Sequence, residues 1–171
     1  MDSVPYHSNP KEDQWLTQGY YFWTDSDFFA HAWGKRSDKY PNGYFITKFE
    51  LEIPCAELFD LVGNVRQQLF FDQCIKAYLK VLGIQGSDPK DTPVSKVIDH
   101  LRLQVEKTGK KEIFPYCAVK AADRANVTSH YPYLAGGSEV MQVPTRQQLC
   151  LFADAKSCIK SQEKHALVRR R

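Results

Sequence analysis

The 171-residue sequence contains no apolar run close to the roughly 18 residues that a membrane-spanning helix needs. Its opening residues, Met1 to Pro5, lack the basic cluster and apolar stretch of a secretory leader. A phosphate-binding glycine loop of the Walker type and a His-Glu-x-x-His zinc motif are also missing. These absences predict a cytoplasmic protein with no membrane segment and no bound metal.

The cysteines favour a reduced protein, whereas the net charge excludes little. The five cysteines are an odd number, and none of them has Cys-x-x-Cys spacing. Most have apolar neighbours, which is typical of reduced thiols in a core rather than of a disulfide framework. The net charge of +3 permits nucleic-acid binding without arguing for it. The length predicts a single domain over residues 1–171.

The most unusual stretch runs from Trp15 to Trp23 and reads WLTQGYYFW. Gly19 opens an aromatic run that favours a β-strand, because aromatic side chains fit a pleated, half-buried surface. Thr24 then fits a helix N-cap, with Asp27 completing a weak capping box. Packing alone explains such a pattern, and the alternative is that one aromatic stacks on a planar ligand. The helix has a buried face at helical spacing: Phe29, Ala32 and Trp33.

In the middle of the chain, hydrophobic residues recur first at every second position and then at helical spacing. Alternation predicts a strand from Tyr44 to Ile53, followed by a short apolar helical turn within residues 55–62. Two amphipathic helices follow, one from the cap at Asn64 to Gly83 and one from the cap at Thr92 to Gly109.

The last third is predicted to hold strands and loops. Residues 114–121 and 147–152 fit strands, and residues 122–139 are expected to form a long, turn-rich loop. Residues 160–171 are basic and are expected to fray, while residues 1–14 are expected to be irregular. The order of these patterns predicts an α+β fold with a split, mostly antiparallel sheet and an inserted pair of helices.

The run from Gly19 to Trp23, with Trp15-Leu16 just ahead and a helix containing Ala and Trp after it, resembles the second motif of a bacterial ADP-ribosyltransferase-like family. That family belongs to the superfamily of diphtheria-toxin-like and poly(ADP-ribose)-polymerase-like enzymes. The resemblance covers residues 8–160 by pattern and implies that NAD is the substrate. In the family, an aromatic after the glycine stacks on nicotinamide, a role that falls to Tyr21. The cofactor-binding residues implied are Gly19, Tyr20, Tyr21 and His7.

Two positions depart from the family pattern. Its first motif is Tyr-His-Gly-like, with a His that binds the ribose beside nicotinamide. Tyr6-His7-Ser8 resembles that motif in part, although Pro5 and Pro10 bracket His7 and leave room for a short strand at best. The alternatives for His7 are therefore a ligand-binding residue and a solvated loop histidine. On the second alternative, the opening strand of the family and its His are missing.

The second departure lies at the start of the late strand, where the family usually places a catalytic Glu. Gln148 occupies that position in this chain. A glutamine can hydrogen-bond a ribose hydroxyl but carries no negative charge for the oxocarbenium-like transition state. Either Gln147 or Gln148 could orient the ribose, with Glu139 supplying charge from the preceding loop. Gln148 is the predicted catalytic residue.

Two functions follow from this interpretation. The first is an NAD-dependent ADP-ribosyltransferase-like toxin or phage-defence effector. It would modify a macromolecule, protein or nucleic acid, and would have an antitoxin or immunity protein as a possible partner. The second is a catalytically inactive module of the same fold that binds a nucleotide, a nucleic acid or a partner protein. The aromatic motif favours the first function, and the glutamine at position 148 favours the second.

Overall fold

The computed structural model describes Pro5, His7, Ser8 and residues 14–83, 92–123 and 129–169. Within these residues the protein is α+β, with mainly antiparallel strands in three sheets and three α-helices. This confirms the predicted fold class and the helical pair. The elements in chain order are β1 (Tyr20–Trp23), α1 (Phe28–Gly34), β2 (Gly43–Leu51), β3 (Leu58–Asp60), α2 (Val65–Val81), α3 (Val94–Thr108), β4 (Ala118–Asp123), β5 (Ser129–Pro132), β6 (Val140–Val143), β7 (Arg146–Leu151) and β8 (Ile159–Arg169).

The central sheet has four strands in the order β1-β7-β4-β3. β7 pairs antiparallel with both β1 and β4, whereas β3 and β4 run parallel. The strands predicted around residues 19–23 and 147–152 are confirmed, and they lie side by side. β1 is therefore an edge strand of this sheet, with only the isolated bridge from His7 to Tyr20 on its outer side among the described residues.

A second sheet pairs β2 with β8, from Gly43 opposite Arg169 to Leu51 opposite Ile159. The prediction of a frayed tail over residues 160–171 is wrong for the part that the structure describes. The charged side chains of β8 point to solvent while its backbone pairs with β2, so composition hid the strand. Arg170 and Arg171 lie outside the described residues.

Three local predictions also need correction. Residues 122–139 are not all loop, because β5 and β6 form an antiparallel hairpin. The helical turn predicted within residues 55–62 is limited to a 3₁₀ turn at Cys55–Glu57, and residues 58–60 form β3, since they pair with β4. Helix α1 begins only at Phe28, whose backbone N–H donates to Ser26 Oγ over 3.2 Å, so the cap predicted at Thr24 is wrong. The described part of residues 1–14 is Pro5, His7, Ser8 and Gln14.

The central sheet is packed on both of its faces. On one face, Val97 and Ile98 of α3 and Phe71 of α2 form a buried cluster with Phe59 and Cys150 of the sheet. On the other face, the buried side chains of β1, β4 and β7 meet partly buried apolar residues at the end of β2 and the start of β8. The α2 cap at Asn64 is confirmed, since its side chain accepts the Gln67 N–H. No helix in the described part of the chain combines the length and apolar character that crossing a bilayer requires.

Candidate functional site

The pairing of β1 with β7 brings two of the predicted site residues to the same face of the sheet. Tyr21 lies opposite Cys150, and Trp23 lies opposite Gln148. Opposed residues of an antiparallel pair share a face, as do residues two apart along a strand. Tyr21 and Gln148 are therefore diagonal neighbours on one face, as the sequence predicted, although only Tyr21 lines the cleft between β1 and the β2–β8 sheet. Whether they bind NAD stays a prediction.

The loop before β1 folds over this face and closes it. The Tyr21 hydroxyl donates to the Thr17 carbonyl oxygen over 2.7 Å and accepts the Leu16 N–H over 3.1 Å. The Trp15 indole N–H donates to Gln148 Oε1 over 2.8 Å. Burial raises the pKa of the Tyr21 phenol, and it raises the pKa of the Cys150 thiol to about 12, so both groups are neutral at physiological pH. We name this side of the strand the closed face.

Gly19 has a packing reason to be glycine. A Cβ atom at this position would lie 2.5 Å from the Leu151 carbonyl oxygen and 2.7 Å from Cys150 Sγ. Only a residue without a side chain allows β7 to approach this closely. The glycine of the aromatic motif is therefore explained by strand packing, and its predicted part in cofactor binding stays a prediction.

His7 lies at the outer edge of β1. It forms an isolated antiparallel bridge with Tyr20, and the two rings meet edge to face at 5.0 Å between centroids. The Ser8 N–H donates to the Gly19 carbonyl oxygen over 2.9 Å and holds this short contact in place. Tyr20 itself is 9% exposed and packs into the core. His7 is exposed beside the motif, and its role as a ligand-binding residue stays a prediction.

Glu139, the alternative source of charge, lies in the connection between β5 and β6. Its backbone oxygen accepts the Tyr133 N–H over 3.1 Å. Glu139 does not line the cleft that lies between β1, the start of α1 and the β2–β8 sheet.

A cleft of about 750 Å³ lies on the other side of β1, between that strand, the start of α1 and the β2–β8 sheet. Its apolar wall contains Phe22 and Phe49, whose rings meet edge to face at 5.4 Å between centroids. Because β1 is an edge strand, Tyr21 also borders the cleft. We name this side of the strand the cleft face. Its other lining residues are Trp23, Thr24, Asp25, Ser26, Asp27, Ala30, Ile46, Thr47, Lys48, Leu51, Leu149 and His165.

Two threonines that line the cleft have hydroxyl groups without a hydrogen-bond partner among the residues that the structure describes. Thr24 Oγ1 follows β1 and Thr47 Oγ1 belongs to β2, and each atom exposes less than 1 Å². An unpaired buried hydroxyl costs about 1–3 kcal/mol. The sequence analysis did not single out these hydroxyls. The available signal was Thr47, which stands among the apolar residues on one side of an alternating strand.

A carboxylate flanked by two histidines stands at the rim of the cleft. Asp27 Oδ2 lies 2.8 Å from His165 Nε2 and 3.3 Å from His31 Nε2. The hydrogen bond from His165, with a smaller contribution from His31, lowers the pKa of the Asp27 carboxyl. His31 Nδ1 in turn lies 3.0 Å from the Tyr44 hydroxyl. Asp27 is therefore held ionised and points a hydrogen-bond acceptor toward the cleft rim.

The described residues contain no group of three or more His, Cys, Asp or Glu side chains arranged to hold a metal ion. No protein-family model, curated protein or solved structure matches the chain. The chemistry of the site therefore has to be read from its own residues. These offer an aromatic edge strand, a glutamine carboxamide, two unpaired hydroxyls and an ionised carboxylate.

Proposed function

We propose that the chain is an NAD-dependent ADP-ribosyltransferase-like toxin or phage-defence effector that modifies a protein or a nucleic acid. One observation carries the proposal. The edge strand with the aromatic motif pairs directly with the strand that holds Gln148, so that Tyr21 and Gln148 share a face. These are the two positions that the resemblance assigns to nicotinamide stacking and to the ribose hydroxyl.

Tyr21, Gln148 and two aspartates would have separate roles in ADP-ribosyl transfer. The Tyr21 ring is fixed by hydrogen bonds of its hydroxyl to the backbone, and the residue lines the cleft, where nicotinamide would contact the ring. The Gln148 oxygen already accepts the Trp15 indole N–H, so its amide group is the part that remains to donate to a ribose hydroxyl. Positive charge on the sugar would be offset by Asp25 and Asp27, the carboxylates that line the cleft.

A second candidate is the catalytically inactive module of the same fold, which binds a nucleotide, a nucleic acid or a partner protein. A specific observation favours it. Gln148 is neutral and its oxygen is engaged by Trp15 at 2.8 Å, as expected of a residue that holds the loop to the strand. With a glutamine in place of the family's catalytic glutamate, the site lacks one preorganised charge, and losing such a group costs on the order of 10²–10³ in rate.

The proposal extends to location and partners. All five thiols are unpaired, which supports a reducing, cytoplasmic location. A toxin that modifies macromolecules in the cytoplasm would also need an antitoxin or immunity protein in its own cell. We propose such a partner on that ground.

The test is incubation with labelled NAD, with protein and RNA both offered as acceptors. We expect label on one acceptor with the wild type, none with Gln148→Ala, and equal or greater labelling with Gln148→Glu, because glutamate restores the missing charge. Gln73→Ala, an exposed glutamine on α2, is the matched control and should behave as wild type. The melting temperature of Gln148→Ala should stay nearly unchanged, since one exposed hydrogen bond is lost.

If the wild type labels neither acceptor but binds NAD, the inactive module is the better description. If it neither labels an acceptor nor binds NAD, and no substitution at position 148 changes this, the enzyme proposal has to be abandoned.

A further inference from the structure

We infer that the cleft between β1 and the β2–β8 sheet binds the ribose of a nucleoside or nucleotide, with Thr24 and Thr47 contacting the ribose hydroxyls. The inference rests on the proposed function only in taking NAD as the physiological ligand. The closed face, which holds Gln148, is not required for it.

The unpaired threonine hydroxyls are the first step of the argument. Thr24 and Thr47 line one cleft from two different elements, and neither hydroxyl oxygen has a partner among the described residues. Folding alone would favour valine at both positions, because valine has the same shape and no hydroxyl to desolvate. A ligand with its own hydroxyl groups would supply the missing partners. Each threonine reaches it by turning about its Cα–Cβ bond between staggered rotamers.

The second step is the carboxylate at the rim. Asp27 is held by His165 at 2.8 Å and is ionised, so it accepts hydrogen bonds and donates none. A carboxylate that accepts from adjacent hydroxyls of a ribose is a common arrangement in nucleotide sites. Together with the two threonines, it gives the cleft three oxygen groups suited to a vicinal diol.

The third step is the apolar wall. Phe22 and Phe49 stand edge to face at 5.4 Å, and Leu149 of β7 lies beside them. This wall suits the carbon face of a sugar or the ring of a base. A cleft of about 750 Å³ has room for a nucleotide. Lys48, which lines the cleft and pairs with Glu163 at 3.0 Å, places a cation where a phosphate would approach.

The experiment compares binding of AMP, 2′,3′-dideoxy-AMP and NAD by calorimetry, with the melting temperature as a second readout. We expect the wild type to bind AMP at least tenfold more tightly than the dideoxy analogue. In Thr24→Val/Thr47→Val that preference should disappear, while the melting temperature should rise because two unpaired buried hydroxyls are removed. Thr47→Ser keeps the hydroxyl and should keep the preference. Thr145→Val, an exposed threonine between β6 and β7, should match the wild type in both readouts.

Several outcomes would overturn the inference. These are equal binding of AMP and its dideoxy analogue by the wild type, failure to bind any of the three probes, or an unchanged preference or a lowered melting temperature in the double variant. The two proposals can fail separately. If NAD turnover needs Gln148 but tolerates both valines, the ribose site is contradicted and the enzyme proposal stands. If AMP binding needs the threonines but NAD is neither bound nor turned over, the ribose site stands and the enzyme proposal is contradicted.

Discussion

The two faces of β1 treat their polar groups in opposite ways. On the closed face, the Tyr21 hydroxyl and the Gln148 carboxamide are both hydrogen-bonded by the loop before the strand. On the cleft face, two threonine hydroxyls are buried without a partner in the described part of the chain. The adjacent glutamines of β7 show the same contrast. Gln147 lies on the same side as Leu149, and its buried Oε1 also has no partner among the described residues.

The contrast separates stability from binding. Polar groups that the protein satisfies by itself contribute to folding, whereas buried groups that it leaves unsatisfied cost stability and are commonly retained for a ligand. We therefore expect substitutions of the packed groups on the closed face, Leu16 and Tyr21, to change the free energy of unfolding. Gln148 should change it little, because its hydrogen bond to Trp15 is exposed. Substitutions on the cleft face should change ligand binding with little loss of stability.

The largest expected effect is that of Leu16→Ala on the closed face. Leu16 is 0% exposed and belongs to the cluster that packs β1 against the helices. Its truncation should lower the free energy of unfolding by about 2–5 kcal/mol in urea denaturation. Leu51→Ala is the comparison on the cleft face and should cost less, since Leu51 is only partly buried. Equal losses at both positions would contradict the contrast.

Tyr21→Phe isolates the hydroxyl from the ring. Without it, the Leu16 N–H loses its acceptor and the Thr17 carbonyl loses its tyrosine donor, which should cost about 1–3 kcal/mol. The aromatic ring remains, so NAD affinity should not change. Tyr131→Phe, at an exposed position of β5, should leave stability as it is. A loss of NAD affinity without a loss of stability in Tyr21→Phe would assign the hydroxyl to the ligand instead of the loop.

The smallest effect should be the pH dependence at Asp27 on the cleft face. Its pKa in the folded protein is below the ordinary value of 3.8, because His165 and His31 favour the ionised form. A lowered carboxyl pKa adds stability above the ordinary value, and that stability is lost as the pH falls through the folded value. The difference in melting temperature between wild type and Asp27→Asn should therefore be small near neutral pH and should shrink further as the pH falls below the ordinary carboxyl value. A difference that stays constant over this range would show that His165 and His31 do not act on the charge.

The sequence predicted the elements whose signals are local. The cap at Asn64 and helical spacing located α2, and the aromatic run located β1. Helical spacing located α3, although its N-cap is Pro93 and not the predicted Thr92. Alternation located β2, but a register shift between Ile46 and Thr47 changes which side chains face inward. Phe45 is consequently 65% exposed, although it stands in the same alternating set as Phe49. Bulges depend on the partner strand, which the sequence of β2 does not contain.

The candidate site likewise combines residues that the sequence placed correctly with residues that only the tertiary fold brings together. Tyr21 and Gln148 were expected to share a face because both positions could be placed on neighbouring strands from the sequence. The other walls of the cleft were not predicted from the sequence, since β8 and the start of α1 have to meet beside β1 to form them. Asp27 and His165 are far apart in the sequence, and only the pairing of β2 with β8 brings them within 2.8 Å.

That pairing also sets the order in which the protein can form during synthesis. Gly43 leaves the ribosome long before its partner Arg169, so β2 has no neighbour until nearly all of the described chain has emerged. Strand contacts between such distant positions form slowly, because the intervening chain has to lose entropy before they are made. β2 and β8 are thus joined at a late stage, and a nascent chain cannot bind a ligand in the cleft before β8 has emerged.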